Sequence, residues 1–135
     1  LDERPIDVYN QGEMYRDFTY VEDLVLSIRK LIDVPPDQSK EKLIQTNDSI
    51  SSVAPYRIVN IGNSKKIRLL DFIEAIEKNL KKKAIRNYLP MQKGDVPETL
   101  ADTNLLRSLI GYQPNTNFQE GIINFIKWYK EYYKV

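Results

Sequence analysis

Apolar and polar residues recur along this chain with two periods, and the changes from one to the other mark the elements. From Ile6 to Tyr9 the run Ile-Asp-Val-Tyr alternates with branched and aromatic residues, which predicts a short strand, followed by a turn at Gln11-Gly12. Thr19 stands three residues before Glu22, the spacing of a capping box, and opens a helix whose Leu24, Ile28, Leu31 and Ile32 share one face. Pro35-Pro36 stop that helix, and the polar residues that follow as far as Pro55 predict a long surface loop. Alternation returns over Tyr56–Ile61 as a strand closed by Gly62-Asn63-Ser64, and Ile67 marks a further short strand. Leu69, Ile73, Ile76 and Leu80 then fall on a helical stripe ending in Lys81-Lys82-Lys83, with positive charge at the negative end of the helix dipole.

Ile85–Leu89 predicts another strand. Asp102-Thr103 cap a short helix through Leu105, Leu106, Leu109 and Ile110, which Gly111 closes and Pro114 forbids from continuing. A last helix, capped by Thr116 with Gln119, carries Ile122, Phe125, Ile126 and Tyr129 on one face. About four helices with a few short strands, without repeats or low-complexity tracts, make this an α+β or α/β chain. Its 135 residues and 41% hydrophobic content provide for one compact domain over 1–135 with a small core.

Composition removes whole classes of chemistry. With no cysteine and no histidine, the chain has no disulfide, no thiolate nucleophile, no usual zinc ligand set and no histidine-based triad. A formal charge of +1 gives no global field for nucleic acid or anionic membrane, so any anion site must be local. No stretch approaches the roughly 18 to 20 apolar residues that span a bilayer, and the expected compartment is the cytoplasm. The five glycines are isolated, so neither a dinucleotide fingerprint nor a P-loop can be drawn, and none of the nine tyrosines has a lysine four residues later to lower its pKa for proton abstraction. The carboxylate pairs Glu22/Asp23 and Glu74/Glu77 lie on helices and read as solvated surface charge. The chain opens without methionine, which predicts a fragment of a longer protein.

Three local features ask for more than packing. Arg16 lies just ahead of a helix start, where its guanidinium fork could hold two phosphate oxygens. In Pro90-Met91-Gln92-Lys93-Gly94-Asp95-Val96-Pro97, a glycine turn admits a ligand and Asp95 could accept from vicinal hydroxyls. Asn60-Ile61-Gly62-Asn63 is a strand end of the kind that borders ligand clefts. On residues alone, a carboxylate partner for Arg16 and a plain turn at Asp95 are equally open.

Taken in order, Pro5–Tyr9, Arg16-Asp17-Phe18-Thr19-Tyr20-Val21-Glu22-Asp23, Pro55–Ser64, Met91–Asp102 and Gly111-Tyr112-Gln113-Pro114 resemble the C-terminal portion of nucleotide-sugar epimerases of the extended short-chain dehydrogenase/reductase family. Within it, Pro-Met-Gln-x-Gly-Asp-Val and the polar loop before Pro55-Tyr56-Arg57 look most like UDP-glucuronate 4-epimerases; galactose epimerases usually show arginine where this chain has Gln92. The resemblance implies that Tyr9 and the backbone of Asp7 lie against the uracil, that Arg16 clamps the diphosphate with Gln92 near it, and that Asp95 accepts from the ribose hydroxyls. Trp128 and the aromatic residues at the C-terminus would be core or a docking surface. It further implies a Rossmann domain, absent from this chain, that binds NAD and supplies the catalytic tyrosine. Hydride would pass from C4 of the sugar to NAD and return to the opposite face of a 4-keto sugar, while this portion holds the UDP handle. No catalytic residue, cofactor site or metal site is then expected in this chain, and alone it should be inactive. The intact relative is expected to be a homodimer, and an orphaned apolar face would favour self-association. Two alternatives stay open: a UDP-glucuronate decarboxylase or sugar-nucleotide dehydratase fragment, and a non-catalytic nucleotide-binding or interaction module.

Overall fold

The computed structural model describes residues 3–37 and 48–135. The elements run β1 (Ile6–Val8), a 3-10 turn (Tyr9–Gly12), β2 (Tyr15–Asp17), α1 (Val21–Ile32), β3 (Lys66–Arg68), α2 (Leu69–Leu80), β4 (Arg86–Tyr88), α3 (Asn104–Ile110) and α4 (Phe118–Tyr133). Among the described residues, four α-helices and a few short strands agree with the α+β expectation. The chain divides into two compact units, the first made of Leu1–Phe18, Lys65–Leu100 and Thr116–Val135, the second of Thr19–Ser64 and Ala101–Asn115.

In the first unit, β1 pairs in parallel with β4 (Ile6 opposite Arg86, Val8 opposite Tyr88). β2 pairs antiparallel with β3 (Tyr15 opposite Arg68, Asp17 opposite Lys66). Helices α2 and α4 pack together, and Gly121, Ile122 and Ile126 form the buried face of α4. Val8 and Met14 are buried in the same unit, and Phe18 stacks on Phe72 with centroids 3.9 Å apart. Gly12 has φ +81°, and a Cβ there would lie 2.5 Å from the Leu70 side chain. Both the left-handed backbone and the close approach of α2 therefore require glycine at this turn.

Glu77 departs from the surface-charge reading. It lies four residues after Ile73, on the apolar stripe of α2, and is only 4% exposed. Its carboxylate accepts from Lys83 Nζ at 2.8 Å, from the Ala84 amide at 3.0 Å and from Arg86 Nε at 3.3 Å, with Arg86 Nη2 at 2.9 Å. These donors, led by Lys83, outweigh the cost of burial and bring its pKa down to about 2. The lysine run after α2 is thus partly paired, with Lys83 on Glu77 and Lys82 3.2 Å from Glu3.

In the second unit, α1 packs on α3. Leu106 and Ser27 are fully buried, and the Ser27 hydroxyl donates to the Asp23 carbonyl at 2.7 Å. Asp23 also overturns the surface-charge reading: it is 7% exposed and accepts from the Tyr112 hydroxyl at 2.6 Å. Burial, reinforced by this carboxylate, pushes the Tyr112 phenol up to about 12. The apolar face predicted for α1 exists, but Leu24, Ile28 and Ile32 are exposed on it. Asp48 and Arg57 form a two-point ion pair (2.8 and 3.0 Å) with both side chains 6% exposed. No ladder partner lies beside Tyr56–Ile61 among the described residues, so the predicted strand is not formed there. Its backbone instead bonds to the preceding turn, Ser51 N–H to the Tyr56 carbonyl at 2.8 Å and Ile58 N–H to Ser49 Oγ at 3.1 Å. The long loop predicted before Pro55 lies partly outside the described residues.

Two caps differ from expectation. Tyr20, not Thr19, is the N-cap of α1 and makes no side-chain cap bond; Asn117, not Thr116, caps α4, its side chain accepting from the Gln119 amide. At α3, Asp102 does accept from the Asn104 amide at 2.9 Å, and Gly111 ends the helix in the left-handed conformation (φ 62°).

Candidate nucleotide-sugar site

Asp7, Tyr9, Arg16, Gln92 and Asp95 belong to the first unit, whereas Asn60-Ile61-Gly62-Asn63 belongs to the second. Asp7 is the middle residue of β1. Its neighbours use the β4 side, Ile6 N–H donating to the Ile85 carbonyl at 2.9 Å and the Val8 carbonyl accepting from Leu89 N–H at 3.0 Å. By strand alternation the Asp7 backbone groups face the opposite edge, which has no strand partner among the described residues. The Asp7 side chain is occupied differently, accepting from Asn87 Nδ2 at 2.8 Å. Tyr9 is not a strand residue: it begins the 3-10 turn and is half-buried, because Asn10 and Gln11 take positive φ (49° and 54°) and bend the chain. This turn is tied to the end of β4 by Gln11 N–H donating to the Leu89 carbonyl at 3.2 Å.

β4 leads directly into the turn that carries Gln92 and Asp95. The Gln92 carbonyl accepts from the Asp95 amide at 3.2 Å, Gly94 takes φ 85°, and the Gln92 side chain is exposed. Beyond the turn the chain lies along β2: Tyr15 N–H donates to the Pro97 carbonyl at 2.9 Å, and Thr99 N–H to the Tyr15 carbonyl at 3.1 Å. That docking sets Asp95 against Arg16 of β2, with Arg16 Nη2 2.9 Å from Asp95 Oδ1 and the side chains 25% and 29% exposed. Arg16 Nη1 also donates to the Tyr15 carbonyl at 2.9 Å and to the Pro97 carbonyl at 3.4 Å.

The structure thus brings Arg16 and Asp95 into contact and links Asp7 and Tyr9 to the same loop through β4. Around the pair, Lys66 binds Glu98 at 2.7 Å and Arg68 binds Glu13. A half-buried guanidinium beside a partly open turn can hold an anionic oxygen pair, and a neighbouring carboxylate can accept from hydroxyls. Among the described residues no cluster of three or more acidic side chains is placed to hold a metal, and no helix is long and apolar enough to cross a membrane.

Comparison with known proteins gives the class to which the chain belongs. Residues 2–125 match the family model described as GDP-mannose 4,6 dehydratase, and the chain belongs to that family. More particularly, it is 47% identical over 134 residues to Protein CapI of Staphylococcus aureus, covering 99% of this chain and 40% of that protein. It is 44% identical to the probable UDP-glucuronate 4-epimerase of Rhizobium meliloti, covering 97% of this chain and 39% of that protein. The chain therefore spans about 40% of the length of these curated relatives. Among solved structures, the UDP-glucuronic acid 4-epimerase of Bacillus cereus in complex with NAD matches with a TM-score of 0.70 at 25% identity, over 99% of this chain and 36% of that one. MoeE5 in complex with UDP-glucuronic acid and NAD shares the fold with a TM-score of 0.73 at 21% identity, over 98% and 38%.

Proposed function

We propose that this chain is the UDP-sugar-binding portion of an NAD-dependent nucleotide-sugar epimerase that interconverts UDP-glucuronate and UDP-galacturonate. The observation that supports this most is the 44% identity, over 97% of this chain, to a relative from Rhizobium meliloti named a probable UDP-glucuronate 4-epimerase. Arg16 holds the diphosphate with Gln92 beside it, and Asp95 accepts from the ribose hydroxyls. The backbone of Asp7 meets the edge of the uracil while Tyr9 lies against its face. An open strand edge at Asp7 suits a base that presents both a donor and an acceptor. NAD and the catalytic tyrosine belong to a Rossmann domain outside the stretch of the relatives that this chain matches. The complete enzyme is a cytoplasmic homodimer in this reading.

Holding the UDP handle fixes the sugar so that C4 stays aligned with the hydride acceptor while its 4-keto form turns over. A 4,6-dehydratase reading is favoured by the family description alone. An assay of the complete enzyme with UDP-glucuronate separates the two: epimerisation yields UDP-galacturonate of unchanged mass, whereas dehydration lowers the product mass by one water. Arg16→Ala in that enzyme raises KM for UDP-glucuronate by about tenfold or more, the effect of losing a charge-assisted contact; unchanged kinetics would remove Arg16 from the site.

A further inference from the structure

We infer that Asp95 is a positioning residue for Arg16, so that the carboxylate strengthens the binding of a diphosphate that its own charge should repel. The inference rests on the site proposed above and adds to Asp95 a task other than ribose recognition.

The contacts divide the two side chains into held and open halves. Arg16 Nη1 is taken by the Tyr15 and Pro97 carbonyls, and Nη2 by Asp95 Oδ1, with the Met14 sulfur 3.9 Å away. Nε has no partner among the described residues and remains as the donor open to a phosphate oxygen, since Nη1 and Nη2 each already meet two acceptors. Asp95 Oδ1 also accepts its own chain's Val96 N–H at 2.9 Å, while Oδ2 has no partner among the described residues. One carboxylate oxygen is therefore locked to the turn and to the guanidinium, and the other is left for hydroxyls. The Pro97 carbonyl joins the same lock, since it accepts from both Arg16 and the Tyr15 amide. A long side chain held at three points loses little further freedom on binding an anion, which is how preorganisation raises affinity.

Inorganic pyrophosphate tests this because it has no hydroxyl for Asp95 to recognise. A carboxylate acting only as a charge would make Asp95→Asn bind pyrophosphate more tightly; a positioning carboxylate makes it bind more weakly. We expect Asp95→Asn to lower pyrophosphate affinity about tenfold, the factor set by one hydrogen bond between charged groups. In an Arg16→Lys background, where no guanidinium remains to orient, the same change should tighten binding or leave it alone. Asp95→Glu, which keeps the charge but displaces it, should also weaken binding, and unfolding midpoints of all variants control for loss of fold. Tighter or unchanged binding by Asp95→Asn in the wild-type background overturns the inference while leaving Arg16 in the site. Failure of the wild-type chain to bind pyrophosphate and UDP overturns the site itself, an outcome visible before any variant is made.

Discussion

Replacing Glu77 with glutamine should reveal a stabilising contribution that exists only above acidic pH. The residue is 4% exposed, its carboxylate lies against Lys83, Arg86 and the Ala84 amide, and its pKa falls from 4.5 to about 2. One pKa unit corresponds to about 1.36 kcal/mol, so the full displacement amounts to about 3.4 kcal/mol. Lys83, the leading cause, is 84% exposed, and solvent screening of that bond reduces the figure to about 2 kcal/mol. As pH falls from 4.5 to about 2, the unfolded chain takes up the proton before the folded one does. Stability therefore rises with pH across this window; the contribution is fully present above it and lost as pH falls through it. Urea unfolding of wild type and Glu77→Gln should differ by about 2 kcal/mol at neutral pH, with the gap closing as the solution is acidified toward the folded-state pKa. A gap that does not change with pH, or no gap at neutral pH, would refute the assignment of this carboxylate as a buried anchor between α2 and β4.

Tyr112→Phe removes the hydroxyl that donates to buried Asp23 and should cost about 1–3 kcal/mol by urea unfolding. The same phenol, raised to about 12, should titrate well above 10 in the ultraviolet, and its contribution should decline as pH rises from 10 toward 12, because the unfolded phenol ionises first. Gly12→Ala combines a positive φ with a Cβ 2.5 Å from Leu70, so a loss of at least about 2 kcal/mol is expected, together with weaker UDP binding because this turn adjoins Tyr9. Leu106→Ala, at a fully buried position of the second unit, should cost about 2–5 kcal/mol, read as a fall in unfolding midpoint.

Periodicity locates most of the fold. The stripe Leu69, Ile73, Ile76, Leu80 coincides with the limits of α2, and Gly111 ends α3 as its left-handed conformation requires. Caps are less legible, since Thr116 and Asn117 are both plausible acceptors by composition and only the backbone geometry selects one. The Tyr56–Ile61 alternation signals strand propensity, but a strand also needs a neighbour, which local sequence does not supply. The two buried carboxylates escape a compositional reading because Glu and Asp are usually solvated. Position carries the signal instead: Glu77 lies four residues beyond Ile73 on the apolar stripe, and Asp23 lies four before Ser27 on the side of α1 that is buried. At the candidate site, Arg16 has the carboxylate partner that was one of the alternatives open in the sequence, and its Nε has no partner among the described residues. The 79-residue separation of Arg16 and Asp95 keeps their contact out of reach of any local pattern.

Whether the first unit carries a site for the UDP handle is decided by calorimetric titration of this chain with UDP and UDP-glucuronate, beside its Arg16→Ala variant. Wild type should bind both ligands, and Arg16→Ala should weaken each by at least about tenfold, as expected for loss of a charge-assisted contact. Absence of binding by the wild-type chain, or equal affinity in the variant, would contradict the site.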